Sequence, residues 1–215
     1  KVYLQELTSY NKVLNQRNKL LKDIGFQPGL TETLDVWDMQ LVSYGKKIIS
    51  LRRQFMEELG EIIRQIHSNL TGKKEEIRLL YEPDVEEKVF EEKLQSAREK
   101  DLRFRVTSVG PHRDDFCVQT NGIDIRKYGS QGQQRTAALS LKMSEIYLVE
   151  KVTKDHPVLL LDDVLSELDS SRQNYLLQSI HNIQTVITCT GLDELIENNF
   201  SIDRVFRVTE GKIDF

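Results

Sequence analysis

The amino-acid sequence predicts an α/β protein in two parts, a helical domain followed by a lobe built on a parallel sheet. Residues 1–101 follow a helical period with one interruption, which predicts a long antiparallel helix pair. In residues 102–215, short apolar runs alternate with helical segments. Strands that alternate with helices are typical of a parallel sheet with crossover helices. The boundary between the two parts is therefore predicted near residue 101.

Composition places the chain among ordered globular proteins. Of its 215 residues, 39% are hydrophobic and 30% are charged, which is enough to bury a core. The net charge of −4 gives no global attraction to nucleic acid, so any DNA contact must rest on local patches. No apolar run approaches the roughly 18 residues of a membrane span, and no membrane association is expected.

The two cysteines indicate the cellular compartment, and the first residues indicate whether the chain is part of a longer protein. Cys117 and Cys189 lie in separate apolar runs, which predicts two reduced, buried thiols and a cytoplasmic protein. The chain begins at Lys1, without Met and inside a helical pattern. It is therefore expected to be a fragment of a longer protein, with no signal peptide.

Two helices account for most of the first part. The first is predicted over residues 2–22 and ends before Pro28-Gly29. Thr31 and Thr33 offer caps for a second helix that runs to about Asn69. An apolar stripe along the second helix is expected to pack against the first; it consists of Leu41, Tyr44, Ile48, Leu51, Phe55, Leu59, Ile62 and Ile66.

The opposite face of the second helix is basic. Lys46, Arg53 and Arg64 stand there, interleaved with Glu57 and Glu61. One hypothesis makes this face a strip that contacts DNA phosphates. The alternative is a solvated face with i, i+4 ion pairs such as Arg53–Glu57. The residues alone leave both open.

The remaining elements follow from periodicity and turn residues. A strand is predicted over 76–81, a helix over 85–100, strands over 102–109 and 116–119, and a two-residue hairpin turn at Asn121-Gly122. A helix over 131–152 follows, with one apolar face made of Ala138, Leu141, Leu148, Val149 and Val152. The chain then alternates between strands at 157–161, 185–190, 204–208 and 212–215 and a helix at 170–181.

The strand at 157–161 ends in two adjacent carboxylates, Asp162 and Asp163. Open α/β sheets bind ligands at the carboxyl ends of their strands. Two acids there are costly unless a cation or hydrogen bonds compensate them, and Mg²⁺ on a nucleotide suits such oxygen ligands. The alternative is a pair of aspartates that caps a helix and binds no metal.

A glycine-rich helix start precedes this strand by about thirty residues. In the segment 128–135, Gly129, Ser130 and Gly132 surround the beginning of the helix at Gln131. Backbone N–H groups at a helix N-terminus have no intrahelical acceptor, and the helix dipole adds positive charge, so this is a natural anion seat. An ordinary N-cap at Ser130 explains the same residues.

Taken together, these segments resemble the motifs of ABC-type ATPases. Ser130-Gln131-Gly132-Gln133 resembles the signature motif, residues 159–163 resemble Walker B, and residues 166–169 resemble the D-loop. The fuller strings at 109–115, 129–142 and 159–169 are similar to those of the bacterial RecF family. The helical part also matches that family's inserted domain, through residues 10–21 and 34–38. The resemblance covers essentially the whole chain and implies the C-terminal half of an ABC-type ATPase head.

The resemblance also implies roles for individual residues. Ser130, Gly132 and Gln133, with Gln131 between them, would contact the γ-phosphate of ATP bound to the opposite subunit. Asp162 would assist Mg²⁺, and Asp163 would stand where many relatives have a catalytic Glu. Asp169, in the D-loop, is implied to cross the dimer interface.

Other positions are less typical of the class. Many ABC ATPases have His at the switch position, where this sequence has Thr190. A hydroxyl there can hydrogen-bond phosphate or water but cannot act as a general base at neutral pH. His112 and Arg113 line the dimer interface in one interpretation and form only a structural turn in the other.

No Gly-x-x-x-x-Gly-Lys-Ser/Thr phosphate loop occurs in the sequence. The chain alone is therefore not expected to hydrolyse ATP. The resemblance implies that the intact protein is a slow ATPase that dimerises on ATP and binds gapped or single-strand/double-strand junction DNA. It also implies that RecO and RecR act with it to load RecA on strands coated by SSB. The alternatives are a fragment of a different SMC-like ATPase, or a non-enzymatic helical module that docks a partner.

Overall fold

A computed structural model describes residues 2–180, 182–189 and 202–214 of the chain. The helices are α1 (Val2–Ile24), α2 (Leu34–Leu70), α3 (Phe90–Ser96), α4 (Arg98–Phe104), α5 (Ile125–Tyr128), α6 (Gln131–Thr153) and α7 (Ser170–Ser179). The strands are β1 (Ile77–Glu82), β2 (Asp115–Thr120), β3 (Ile123–Asp124), β4 (Leu159–Asp162), β5 (Thr185–Thr188), β6 (Arg207–Thr209) and β7 (Lys212–Asp214). Short 3₁₀ turns occupy Pro28–Thr33, Glu87–Val89, Pro111–Arg113 and Leu165–Glu167.

The predicted antiparallel helix pair is confirmed. Glu6, near the start of α1, pairs with Lys47 in the middle of α2, whereas Ile24 at the end of α1 packs with Leu34 at the start of α2. The two helices are therefore antiparallel. Between them lies a core cluster that includes Tyr10, Val13, Leu41, Val42, Ile48, Ile49, Val85, Phe90 and Leu94. Burial of these apolar side chains is the main force that holds α1 against α2.

A buried charge network ties α1 to α2 and α4. The Arg17 guanidinium is fully buried and donates to Asp38 at 2.6 Å and to Asp101 at 2.7 Å. Asp101 also accepts from the backbone N–H of Ser108 at 2.9 Å and from its hydroxyl at 2.6 Å. Arg98 completes the network by donating to Asp38 at 2.7 Å. Three helices and the loop after α4 are therefore fixed by one set of hydrogen-bonded charges.

The strands β1, β2 and β3 form an antiparallel sheet in that order. The two-residue turn predicted between β2 and β3 is confirmed, because Asn121 and Gly122 both adopt positive φ, 51° and 80°. Two successive positive φ values are the mark of a type I′ hairpin turn, which Asn-Gly favours. The Asn121 side chain also accepts from the backbone N–H of Glu76 at 2.9 Å, so the turn is fixed to the start of β1.

The strands β4 and β5 pair in parallel, as the α/β pattern predicts, with α7 between them in sequence. Asp162, the last residue of β4, stands opposite Thr188, the last residue of β5. The closing strands β6 and β7 form an antiparallel pair. The parallel register brings the two strand ends to one edge, where the predicted ligand site lies.

Two elements of the middle region differ from the predictions. The strand predicted over 102–109 is wrong: α4 continues to Phe104 and an irregular loop follows. The residues 98–104 include no β-branched side chain, and Asp101 must face inward to meet Arg17, which a helix achieves. The single helix predicted over 85–100 is instead a 3₁₀ turn followed by two short helices.

The predicted apolar face of α6 is also wrong in part. Ala138, Val149 and Val152 are exposed, although Leu148 is buried. The buried face of α6 carries hydroxyl and small side chains, namely Thr136, Ala137, Ser140 and Ser144 together with Leu139 and Met143. The buried hydroxyls are satisfied within the helix: each donates to the carbonyl four residues earlier. An apolar stripe therefore could not identify this face.

Thr31 and Thr33 do not cap α2, because their hydroxyls donate back to the carbonyls of Pro28 and Leu30 and stabilise the 3₁₀ turn instead.

The chain divides into two compact units, Lys1–Ser144 and Glu145–Phe215. The functional division into residues 1–101 and 102–215 stays a prediction. No helix in the described ranges is long and apolar enough to cross a membrane.

Candidate functional site

The start of α6 is built around a reciprocal pair of hydrogen bonds. The backbone N–H of Gln133 donates to the Ser130 hydroxyl at 3.2 Å, and the backbone N–H of Ser130 donates to the Gln133 side-chain oxygen at 3.0 Å. This is a capping box, which fixes the first turn of a helix. Gly129 precedes it, and a Cβ at that position would lie 2.6 Å from the carbonyl oxygen of Ile125. Only glycine fits so close an approach of α5 to the cap.

The same helix start is open to solvent. Ser130, Gln131 and Gly132 are exposed, and Gln133 is half-buried. A Cβ added to Gly132 would meet nothing nearer than the Ser130 hydroxyl at 4.0 Å. Because Gln131 and Gly132 are the first helical residues, their N–H groups have no intrahelical acceptor and face outward with the positive end of the helix dipole. The anion seat predicted from the sequence therefore has the required local geometry.

A series of side-chain hydrogen bonds links this helix start to the C-terminal end of α2. The Gln133 amide nitrogen donates to Glu75 at 3.2 Å, and the other Glu75 oxygen lies 3.3 Å from His67 Nε2. His67 is fully buried on α2, and its Nδ1 lies 2.9 Å from the Ser140 hydroxyl of α6. Glu75 and His67 have no local sequence signal, because their partners lie 58 and 73 residues away along the chain.

Replacing Glu75 with alanine is expected to lower the free energy of unfolding by about 1–3 kcal/mol, because buried His67 loses one of its hydrogen-bond partners and Gln133 loses an acceptor. Urea denaturation followed by Trp37 fluorescence measures this. The matched control is Glu76→Ala, since the exposed Glu76 side chain pairs with exposed Arg78 at 3.0 Å. The control should stay within about 0.5 kcal/mol of the parent. Equal effects of the two changes would contradict the role assigned to Glu75.

A separate group of candidate residues lies at the ends of β4 and β5. The Thr188 hydroxyl donates to an Asp162 carboxylate oxygen at 2.5 Å and accepts from the backbone N–H of Asp163 at 3.0 Å. Asp163 has a left-handed backbone, with φ at 50°, and its N–H also lies 3.2 Å from the Thr188 carbonyl oxygen. Thr188 therefore orients both carboxylate residues. Its role escaped the sequence analysis, because only the parallel register reveals it.

The donor set at this edge fits a magnesium ion. Asp162 is exposed at the strand end, and one of its carboxylate oxygens is held by Thr188. Among the hydrogen bonds of the described residues, none engages the second Asp162 oxygen. A carboxylate with one oxygen fixed and the other open is the ligand that Mg²⁺ uses beside nucleotide phosphates.

Asp169 begins α7 and caps it. Its carboxylate accepts from the backbone N–H of Arg172 at 3.0 Å and pairs with the Arg172 guanidinium. The hydrogen bond from that N–H is the main cause that holds the pKa of Asp169 below its ordinary value. Asp169 is therefore ionised and committed to the helix start, and its predicted part in a dimer interface stays a prediction.

His112 and Arg113 lie in a 3₁₀ turn against α1. The Tyr10 hydroxyl donates to His112 Nδ1 at 2.8 Å, and His112 Nε2 donates to the Thr107 carbonyl at 3.1 Å. Partial burial lowers the pKa of His112 and favours this neutral form. His112 thus has a structural part in the turn. Arg113 is exposed and makes no polar side-chain contact within the described part of the chain. The predicted interface role of both residues stays a prediction.

The remaining predicted positions are Thr190 and three basic residues of α2. Thr190 lies outside the described residues. On α2, Lys46 is half-buried, Arg64 is exposed, and Arg53 pairs with Glu86 at 2.6 Å instead of with Glu57. The Arg53 guanidinium also lies over the Tyr81 ring, 5.6 Å from its centroid. The role of Lys46, Arg53 and Arg64 in DNA binding stays a prediction.

The fold is that of the C-terminal half of an ABC-type ATPase head. Two solved structures have the same fold. One is of the recombination mediator protein RecF-ATPrS in the RecFOR pathway, with a TM-score of 0.85 and 36% identity. The other is of RecF-ATP in the same pathway, with a TM-score of 0.84 and 37% identity. Each comparison covers 100% of this chain and 58% of the solved chain.

Curated proteins agree with the structures. The chain is 58% identical over 214 residues to the DNA replication and repair protein RecF of Agathobacter rectalis and 60% identical over 215 residues to that of Lachnospira eligens. These comparisons cover 100% and 99% of the chain, respectively. The chain belongs to the RecF family. It spans 59% of the length of these relatives and corresponds to their C-terminal part. No protein-family model matches it.

Proposed function

We propose that this chain supplies the trans-acting half of an ATP site in a dimeric RecF-type DNA repair protein. In each subunit the signature segment, Ser130 to Gln133, meets the γ-phosphate of ATP held by the opposite subunit. Asp162 and Asp163 serve the ATP of their own subunit, whose phosphate loop comes from the N-terminal part that the relatives possess. The chain alone binds no ATP tightly and hydrolyses none.

The observation that carries this proposal is the capping box at the start of α6. It holds the Ser130 hydroxyl and the Gln133 side chain beside outward-facing N–H groups on an exposed surface. Preorganised donors of this kind stabilise phosphate charge without rearrangement at the moment of binding. Because the segment is exposed in the chain, its ligand comes from outside, as a second subunit's nucleotide would.

The strand-end residues fit the chemistry of phosphoryl transfer. Mg²⁺ bound with ATP would neutralise charge that develops on the phosphate oxygens. Asp162 would hold that ion, and Thr188 keeps the Asp162 carboxylate in place. Asp163 stands next in sequence to orient the attacking water. Since Asp169 is committed to α7, it contributes to the dimer interface through the position of that helix.

The DNA repair role rests on family membership. RecF relatives carry the name DNA replication and repair protein, and the solved structures are placed in the RecFOR pathway. We assign the intact protein to ATP-dependent binding of gapped or junction DNA. With RecO and RecR, it then loads RecA on strands coated by SSB, and slow hydrolysis times its release.

ATP-driven dimerisation tests the proposal. The N-terminal part of the Agathobacter rectalis relative, joined to this chain, gives a full-length protein that sedimentation can follow with and without ATP and Mg²⁺. Ser130→Arg should weaken the ATP-dependent dimer by about 10-fold or more, because a lost hydrogen bond to a charged group is worth roughly 1.5–3 kcal/mol. The matched control is Ser50→Arg, the same change at an exposed position of α2. It should leave dimerisation unchanged.

Three results would reject the proposal. If the parent fails to dimerise on ATP, or if Ser130→Arg dimerises as the parent does, the chain is better described as a non-enzymatic interaction module. If the parent dimerises but binds gapped and continuous duplex DNA equally, a different SMC-like ATPase is the better description.

A further inference from the structure

The loop end of the α1–α2 pair carries two exposed phenylalanines. Phe26 follows α1 and is 78% exposed, and Phe104 ends α4 and is 61% exposed. Two neighbouring exposed aromatic rings can contribute free energy to binding when a ligand covers them. The apolar contacts that hold α1 and α4 together are made by other residues, including Leu21 and Leu102. The two rings are therefore available to a partner.

Each ring has an arginine on it. The guanidinium carbon of Arg105 lies 5.6 Å from the centre of the Phe26 ring, and that of Arg103 lies 5.5 Å from the centre of the Phe104 ring. Both arginines are exposed. Elsewhere, arginines such as Arg53 and Arg98 pair with carboxylates, but within the described residues neither Arg103 nor Arg105 has an acidic partner. Their charge is uncompensated on a chain with a net charge of −4.

The backbone under this surface is rigid. Arg105 terminates α4 in the left-handed conformation, with φ at 56°, and its N–H bonds back to the Asp101 carbonyl. Asp101 is itself buried and bonded to Arg17. Arg103, Phe104 and Arg105 are thus presented by a helix end that the buried charge network fixes, which lowers the entropy cost of binding a ligand there.

We propose that Phe26, Arg103, Phe104 and Arg105 form a contact surface for single-stranded nucleic acid. Aromatic faces stack bases regardless of sequence, and unpaired guanidinium groups bind the phosphates between them. A protein partner that covered the rings alone would leave two arginines without counter-charges, whereas a nucleic-acid strand satisfies both features at once. The proposal deepens the proposed DNA repair function, on which it rests, by assigning the strand a surface distinct from the ATP site.

Binding of a fluorescent thirty-nucleotide oligo(dT) to the 215-residue chain, without nucleotide and at low salt, tests the surface by anisotropy. Phe26→Ala/Phe104→Ala should weaken binding by about 10-fold or more, since stacking is worth roughly 1–3 kcal/mol per base. Arg103→Gln/Arg105→Gln should also weaken binding. It should reduce the slope of log K against log salt by about 1.4, the value for two phosphate contacts on a single strand.

The matched control is Phe55→Ala/Lys12→Ala. It also removes an exposed aromatic ring, from α2, and an exposed cation, from α1, and it should bind within about 2-fold of the parent. Phe104→Trp should retain binding, because the larger ring still stacks. Circular dichroism shows whether each variant keeps the parent's fold.

The proposal is overturned if the folded parent chain does not bind oligo(dT), or if the Phe26/Phe104 variant binds as tightly as the parent. Weaker binding by Arg64→Ala, with no loss in the Phe26/Phe104 variant, would move the strand to the basic face of α2. Because no ATP or second subunit is needed, these outcomes are independent of ATP-driven dimerisation, and either proposal can fail while the other stands.

Discussion

Replacing Asp101 with alanine is expected to lower the free energy of unfolding by about 3–5 kcal/mol, since it leaves the buried Arg17 charge without one of its two carboxylate partners. Arg17 has no exposed surface, so water cannot replace the lost carboxylate. The same change removes the acceptor for the Ser108 N–H and hydroxyl. A loss of this size is a large share of the 5–15 kcal/mol that typically stabilises a domain.

Urea denaturation monitored by Trp37, the chain's single tryptophan, measures the effect. Asp101→Asn keeps the shape of the side chain and one acceptor, so it should cost less than Asp101→Ala and allows a measurement if the alanine variant does not fold. Asp35→Ala is the control, because Asp35 pairs with Arg98 on the surface, where its side chain is 69% exposed. It should cost no more than about 1 kcal/mol. If Asp101→Asn and Asp35→Ala destabilise equally, the network does not carry the stability assigned to it.

In the full-length protein, Asp162→Asn is expected to reduce ATP hydrolysis on the order of 100-fold or more. The amide has the same shape and still accepts from Thr188, but it lacks the negative charge that attracts Mg²⁺. A metal ion at the phosphates stabilises the transition state by several kcal/mol, and 2.7 kcal/mol is about 100-fold in rate. Single-turnover hydrolysis over a range of Mg²⁺ concentrations measures the loss.

Thr188→Val should give a smaller decrease of about 10- to 100-fold, as expected when a residue that orients a metal ligand is lost. Thr185→Val is its control: Thr185 lies at the other end of β5, and its hydroxyl donates to the Ile183 carbonyl. The control should hydrolyse ATP within about 3-fold of the parent. The proposed metal site at the ends of β4 and β5 would be rejected if Asp162→Asn hydrolysed ATP at the parent's rate. It would also be rejected if Thr188→Val and Thr185→Val lowered the hydrolysis rate equally.

Local signals were sufficient where the chemistry is local. The capping of α6 depends on Ser130 and Gln133, which are three residues apart, and the Asn121-Gly122 turn depends on two adjacent residues. The end of β4 at Asp162 was likewise readable, because an apolar run stops at a carboxylate. In each case the deciding interaction involves neighbours in sequence, so the pattern contains it.

The sequence failed where a distant partner decides. Thr188 reaches Asp162 only through the parallel pairing of β4 and β5, and Glu75 reaches Gln133 only through the packing of α2 against α6. Around Asp101 the alternation of apolar residues suggested a strand, but the buried Arg17 requires the carboxylate on a helix. Tertiary contacts override local propensity at such points.

The capping box also determines how many side-chain hydrogens at the start of α6 are free to form hydrogen bonds with an anion. The Ser130 hydroxyl only accepts within the box, so its own hydrogen remains to be donated. The Gln133 amide has two hydrogens, and Glu75 takes one. A phosphate oxygen can therefore receive a hydroxyl hydrogen and an amide hydrogen while every bond of the cap stays intact. The helix would not have to unwind to receive its ligand, and release would leave it already formed for the next one.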